Sequence, residues 1–293
     1  MNFPERYDRN IRLFGAEGQK KLLATRCLVF GVGGLGSPIA QHLALLGVGS
    51  VSLIDDEELD ETNRNRFIGA RHGDPIPGSS KVALSGRLIQ EINPHVKVTE
   101  IRAELCSEDA FEAVKNADVV FGCFDGDGPR AVLNELCAAY LKPYIDLASD
   151  VASPDAYGGR VCVSWDGDGC LSCLGELDNQ AVQLYLQSDT HRKVRDRIYG
   201  VDRGALAEKG PSVSPLNGVV ASLGVMEFMA AVTGMRRPFR LLNYRGHMGT
   251  VTVSKSDPQP GCFICKGIRG QGKDARVERY LGRIRDTAQT CKK

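Results

Sequence analysis

RCLVFGVGGLGSPIAQHLALLGVGSVSLID, residues 26–55, is the stretch whose reading decides the fold. Its opening, Arg26–Val32, is a short apolar run that ends in glycines and reads as a buried strand. From Ser37 to Leu46 the residues Ile39, Ala40, Leu43 and Leu46 fall on one face of a helix. Ser50–Asp55 is a second strand. Strand, glycine turn, helix and strand in this order open a parallel, doubly wound sheet. Gly31, Gly33 and Gly36 form G-x-G-x-x-G within the turn. Glycine lets the backbone approach a phosphate closely, and the start of a helix offers free N–H groups to an anion. Asp55 stands 19 residues beyond Gly36, where an acidic side chain meets a ribose hydroxyl. Alone, this fingerprint fits a mononucleotide and a dinucleotide oxidoreductase equally well.

Working outward, Ser79–Ile92 reads as a helix with Ser79 or Ser80 as its cap, and Val96–Ile101 as a strand. Ala117–Phe124 is an apolar run, Arg130–Leu141 a helix, and Pro143–Ala148 a strand. Gly159–Trp165 and Gly249–Ser254 alternate as strands with one exposed face do, so antiparallel additions to the sheet are expected. Leu216–Val232 is a long apolar helix to be packed on that sheet. The fold class is therefore a Rossmann-like, mostly parallel α/β sheet extended by antiparallel strands. One domain over residues 1–265 is expected, interrupted by a polar, Gly-rich crossover loop at about 176–214 with a helix inside it. Residues 266–293 form a basic tail, with nine Lys and Arg against three acidic residues. In that tail Val277, Tyr280, Leu281 and Ile284 are spaced as a short amphipathic helix that packs on its own domain.

Hydrophobic residues are 42% and charged residues 25% of the 293-residue chain, which predicts a sizeable core. Basic residues (37) balance acidic ones (36), so nothing global points to nucleic acid or a membrane surface. No run of about 18 apolar residues is read as a membrane span. The opening, Met1–Arg12, is polar rather than a leader, and ten cysteines without one indicate thiols or metal ligands in a reducing compartment, the cytoplasm.

A second set of residues separates the two nucleotide readings. Asn63-Arg64-Asn65-Arg66 follows Asp55, Lys81 opens a helix, and Asp125 follows the strand ending at Phe124. A nicotinamide site has no use for this set. Around ATP, guanidinium and ammonium groups cover phosphate oxygens and a carboxylate holds Mg2+. In a doubly wound sheet the C-terminal strand ends share one crevice, which gathers these groups on one ligand.

With these motifs the chain resembles the ThiF/MoeB/HesA family, bacterial relatives of ubiquitin-activating enzymes. The resemblance lies in Arg6-Tyr7-Asp8-Arg9-Asn10-Ile11-Arg12-Leu13-Phe14-Gly15, Gly31-Val32-Gly33-Gly34-Leu35-Gly36, Leu53-Ile54-Asp55, Asn63-x-x-Arg66, Lys81 and Cys123-Phe124-Asp125. It implies ATP-dependent adenylation of the C-terminal carboxylate of a ubiquitin-like or sulfur-carrier protein ending in Gly-Gly. It further implies that Asp55 binds the ribose, that Asn63, Arg66 and Lys81 contact phosphates, and that Asp125 coordinates magnesium. Arg9 is expected to reach as an arginine finger into the other subunit of a homodimer. A conjugating enzyme or a sulfurtransferase is the further partner implied. A nicotinamide oxidoreductase and a non-catalytic scaffold of the same fold are the alternatives; the first leaves Arg9, Arg66, Lys81 and Asp125 without a purpose.

Cys170-Leu171-Ser172-Cys173 and Cys262-Phe263-Ile264-Cys265 are two CxxC pairs, suited to a tetrahedral structural zinc. Gly169 and Gly261 support a tight turn at each, and the family carries zinc in this arrangement. Cys27, Cys123, Cys137 and Cys162 read as small buried hydrophobes. Relatives that form a thioester carry a cysteine in the crossover loop, whereas Ala207 stands at that place and Glu176–Ser214 has none. The adenylate is then expected to pass to an external nucleophile, or to a distant thiol such as Cys291. Gly126 stands where Asn is common, Asp127 adds a carboxylate beside it, and Glu57 stands where Asp is frequent; none removes a required charge.

Overall fold

The computed structural model describes residues 3–187 and 211–283. Strand β1 (Arg26–Phe30) lies between β2 (Ser50–Ile54) and β4 (Val119–Gly122), with β3 (Lys97–Ile101) outside β2; all run parallel. Parallel strands covered on both faces must be apolar throughout, and Cys27 to Phe30 and the whole of β4 are buried. Strand β5 (Tyr144–Ser153) pairs in parallel with β4 on one edge and antiparallel with β6 (Ala156–Ser164) on the other. β7 (Leu241–Arg245) and β8 (Thr250–Val253) complete an eight-stranded sheet in the order β3-β2-β1-β4-β5-β6-β7-β8. The expected parallel sheet with antiparallel additions is therefore present. β7 is a strand that the sequence reading lacked, because in five residues its adjacent Leu241 and Leu242 are both buried and show no alternation.

Helices α1 (Asp8–Ala24), α2 (Gly36–Leu46), α3 (Lys81–Ile92) and α7 (Ser214–Thr233) cover one face, where Ile39, Leu43, Ile89, Val220 and Phe228 meet Val29, Phe121 and Leu147. Helices α4 (Glu108–Asn116) and α5 (Asp127–Ala139) cover the other, where Phe111, Leu133 and Leu136 meet Leu28, Phe30 and Tyr144. Helix α6 (Asn179–Leu186) packs against α5. The cysteine pairs and Val277 and Tyr280 join this second core. The last described turn, Val277–Arg283, is a 3-10 helix, a geometry in which residues three apart eclipse and so bury together. Ile284, Cys291, Ala207 and most of the expected crossover loop lie outside the described residues.

Three readings need correction. Ser80 occupies the N-cap position of α3, yet its side chain makes no capping bond and its hydroxyl has no partner. Helices α1 and α4 were not foreseen. The first is polar and breaks at Gly15 (φ 78°), which blurs its period; the second carries a readable signal, Ser107 accepting from the Ala110 amide at 3.2 Å. Finally, α7 is 20 residues long and contains an 18-residue stretch with a mean hydropathy of 1.5, long and apolar enough to cross a membrane, contrary to the expectation of no such run. It is the helix packed on β5 and β6, and 61% of its apolar stretch is buried.

Candidate active site

The glycine turn stands at the C-terminal edge of β1. Gly31 adopts φ +77°, a left-handed conformation that L side chains disfavour, and a Cβ there would meet the Cys123 carbonyl oxygen at 2.6 Å. The turn is pinned to its neighbours, the Gly31 amide donating to the Ile54 carbonyl and the Cys123 amide to the Phe30 carbonyl, both at 2.9 Å. Gly34 allows a close approach: a Cβ would come within 2.4 Å of Asn217 Nδ2 and 3.1 Å of Arg66 Cδ. Gly36 opens α2 and is buried behind the turn. Amides in the first turn of a helix lack intrahelical partners and carry the positive end of its dipole, which prepares an anion site.

Above the turn lies a cavity of about 570 Å3 whose walls include Gly31, Gly33, Gly34, Asp55, Asn63, Arg66, Lys81 and Asp125. The structure thus brings together every residue named for nucleotide binding except Gly36, which stands behind the wall, and Arg9. Asp55 Oδ2 accepts from the Val32 amide at 2.7 Å and Oδ1 from the Glu57 amide at 2.9 Å. Burial pushes its carboxyl above the usual value, against the opposing pull of Lys81. The Lys81 side chain is almost wholly buried, and its ammonium meets the half-exposed Glu57 carboxylate. Asn63 closes a capping box with Asp60, using its backbone amide and its carbonyl oxygen, so its Nδ2 group is left for other work. Arg66 donates to the Thr62 carbonyl at 2.5 Å and to Asn65 Oδ1 at 3.0 Å. Asp125 is exposed on the wall and has no hydrogen bond or ion pair among the described residues. Arg9, exposed on α1, likewise has none, and it is not on this cavity's wall.

Sequence reasoning missed a buried network that reaches this wall at Arg130. Asp146, fully buried on β5, accepts from Arg130 Nη1 at 2.6 Å, Arg160 Nη1 at 2.8 Å and the Tyr144 hydroxyl at 2.8 Å. Burial, and then the Asp146 charge, push the Tyr144 hydroxyl far up, which keeps it a donor. Arg130 also donates to the carbonyls of Leu147 and Phe124, so it fixes the strand end that carries Asp125. Arg160 continues to the Glu176 carbonyl at 2.9 Å and its carboxylate at 3.1 Å. Asp127 accepts from the Asp178 amide at 2.8 Å, which ties the start of the crossover segment to α5. The end of that segment is tied across the cavity, where the Ser212 carbonyl accepts from Asn65 Nδ2 at 3.1 Å. Asn217, nearly buried at the start of α7, accepts from Ser149 at 2.8 Å and donates to Ser212 Oγ at 3.0 Å. Its signal was legible: a polar residue in a largely apolar helix.

On the other face of the sheet the four CxxC sulfurs lie within 4.8 Å of one another. Cys170 and Cys262 Sγ are 3.8 Å apart, Cys173 and Cys265 Sγ 3.9 Å. A tetrahedral zinc with bonds of about 2.3 Å places its sulfurs about 3.8 Å apart, so the donor set fits such an ion. A hydrogen bond from Cys265 pulls the Cys170 thiol below its ordinary value, with backbone amides adding to the effect. Cys27, Cys137 and Cys162 are buried as expected, whereas Cys123 is half-buried on the cavity wall; desolvation holds its thiol well above the ordinary value.

A doubly wound sheet with an anion-ready turn and facing cations at its strand ends defines a nucleotide-binding α/β enzyme. Comparison with known proteins narrows the class: the ThiF family pattern matches residues 7–264, and the chain belongs to the ThiF family. Its curated relatives include the sulfur carrier protein ThiS adenylyltransferase of Escherichia coli K12, 32% identical over 270 residues and covering 89% of this chain and 95% of the relative. The molybdopterin-synthase adenylyltransferase of the same bacterium is 29% identical over 264 residues, with coverages of 89% and 95%. The adenylyltransferase and sulfurtransferase MOCS3 of Dictyostelium discoideum is 28% identical over 268 residues, and this chain spans 57% of its length. Among solved structures, E. coli MccB with AMPCPP and MccA superposes with a TM-score of 0.71 at 21% identity, over 90% of this chain and 75% of that one, a likeness of fold.

Proposed function

We propose that this protein uses ATP to adenylate the C-terminal glycine carboxylate of a ubiquitin-like or sulfur-carrier protein, releasing pyrophosphate. The observation that carries this reading is the meeting of Arg66, Lys81, Asn63 and Asp125 around the glycine turn in one cavity. A carboxylate is a poor acyl donor because oxide would have to leave. Its oxygen attacks the α-phosphorus, a P–O bond forms, the bond to the bridging oxygen of the β-phosphate breaks, and pyrophosphate departs with that electron pair. The acyl group is then bonded to AMP, a good leaving group. The attacking carboxylate is ionised at neutral pH, so no base is needed.

The turn amides and the α2 N-terminus cradle phosphate oxygens, Lys81 and Arg66 meet the charge that spreads over them, and Asp55 accepts from a ribose hydroxyl. Exposed and unpaired, Asp125 is a hard oxygen donor suited to Mg2+, which when bound neutralises phosphate charge. Arg9 completes the site from a second copy of the chain. Exposed Leu13 on α1, Leu45 on α2, and Val219 and Met226 on α7, three helices packed side by side, support such a homodimer. The cysteine cluster holds a structural zinc. Relatives named for sulfur-carrier activation and sulfur transfer favour a sulfur-carrier substrate, with a sulfurtransferase downstream.

The test is ATP–pyrophosphate exchange by the full chain with Mg2+ and purified small carriers ending in Gly-Gly, the ThiS protein among them. Carrier-dependent exchange is expected. Exchange with none of them, together with tight NAD binding, would replace this reading by the oxidoreductase one.

A further inference from the structure

We infer that Asn217 contacts the nucleotide, donating from Nδ2 to a non-bridging α-phosphate oxygen seated over Gly34. The inference rests on the adenylation reading and adds a neutral donor to the charges of that site. Asn217 stands in the first turn of α7, 2% exposed, and lines the cavity. Its amide is held from both sides, Oδ1 accepting from the Ser149 hydroxyl at 2.8 Å and Nδ2 donating to Ser212 Oγ at 3.0 Å. An amide nitrogen carries two hydrogens, and the second has no acceptor among the described residues. Left dry, such an N–H costs stability, so the position suits a residue whose partner arrives with a ligand.

That nitrogen is packed onto the glycine turn. A Cβ on Gly34 would lie 2.4 Å from Asn217 Nδ2 and 3.1 Å from Arg66 Cδ, so the amide and the arginine stem flank one glycine. The Cβ position is about 2.5 Å from the Gly34 amide nitrogen by covalent geometry, which puts the two nitrogens at most about 5 Å apart. One oxygen about 2.9 Å from each can bridge them. The phosphate concerned is the one joined to the ribose, because Asp55, the ribose acceptor, takes the Val32 amide of the same turn at 2.7 Å. The first turn of α7 borders the cavity, so the positive end of its dipole adds to the same field. When the carboxylate attacks, charge grows on the non-bridging oxygens, and a donor already fixed by Ser149 and Ser212 meets it without reorganising.

The test titrates the full chain with AMP and, separately, with adenosine, which lacks the phosphate, and follows the ligand signals by NMR. The wild type is expected to bind AMP the more tightly. Asn217→Leu, of similar bulk and at home in an apolar helix, should weaken AMP binding about 10- to 30-fold and leave adenosine within about twofold. Asn217→Asp, which sets a carboxylate against the phosphate, should weaken AMP binding about 100-fold at pH 8 and again spare adenosine. Equal losses of both ligands would make Asn217 a packing residue of the wall and overturn the inference. AMP binding unchanged in either variant, or a wild type that does not prefer AMP to adenosine, overturns it too. The adenylation reading is judged separately, by carrier-dependent pyrophosphate exchange in the wild type, which neither titration requires.

Discussion

Two polar networks border the same cavity and are built in opposite ways. Behind the wall, Asp146 is fully buried and receives three donors, and its partner Arg130 donates to two carbonyls besides. On the wall, Lys81 has a half-exposed acid beside it, Asn63 keeps its amide group in reserve, and Asp125 has no partner among the described residues; Arg9, away from the wall, has none either. Saturated charges support the scaffold, because removing one strands the rest in a low-dielectric interior. Unsaturated charges are left for a ligand. The difference is one of partners, since members of both groups sit at strand ends or helix starts.

The contrast predicts which substitutions stop chemistry and which stop folding. Arg9→Ala should lower adenylation about 10³-fold, as loss of an arginine finger does elsewhere, with no change in Tm. Lys81→Met, which keeps the buried stem, should cost about 10²–10³-fold in kcat/KM. Mixing the two inactive variants should restore about a quarter of the activity if each mixed dimer has one intact site; no recovery would remove Arg9 from the partner's site. Asp146→Ala should instead destabilise by about 3–5 kcal/mol, seen as a urea midpoint shift, because two guanidiniums lose their acid. A variant that folded normally and merely turned over slowly would break the contrast.

The cysteine cluster is unsaturated in the same sense, its thiols having chiefly one another. One zinc per chain is expected by elemental analysis, and chelation should lower Tm by roughly 5–10 °C, about 3 kcal/mol. The smallest effect belongs to Asp74, which accepts from Arg87 at 2.7 and 2.8 Å and from the Arg71 amide at 2.6 Å. The hydrogen bonds from Arg87 hold its carboxyl down at about 2. A depressed carboxyl stabilises the fold above its unfolded value of 3.8 and loses that contribution as pH falls through the folded value. The contribution, about 2 kcal/mol or less, should fade between pH 4 and pH 2, and Asp74→Asn should flatten that limb of the acid-unfolding curve.

Much of the ligand-facing half was legible because its chemistry is local. The glycine turn, Asp55 and the helix that follows lie within 30 residues, and Asn63, Arg66, Lys81 and Asp125 each follow a strand or open a helix. The saturated half was not, because its partners are scattered: Arg130, Asp146, Arg160 and Glu176 meet only once β5 and β6 pair. A polar residue in a largely apolar helix marks both classes without separating them. Asn217 faces the cavity, whereas Glu227, ten residues on in the same helix, is clamped by Arg236 at 2.6 Å and the Phe239 amide at 2.8 Å.

The two cysteine knuckles lie on either side of β7 and β8, with 88 residues between Cys173 and Cys262. An ion held by both would act as a staple across a long loop, the kind of closure that removes most freedom from an unfolded chain. Its first pair leaves the ribosome well before the second. Such an ion could lock the antiparallel side of the sheet only after its last strand had been synthesised.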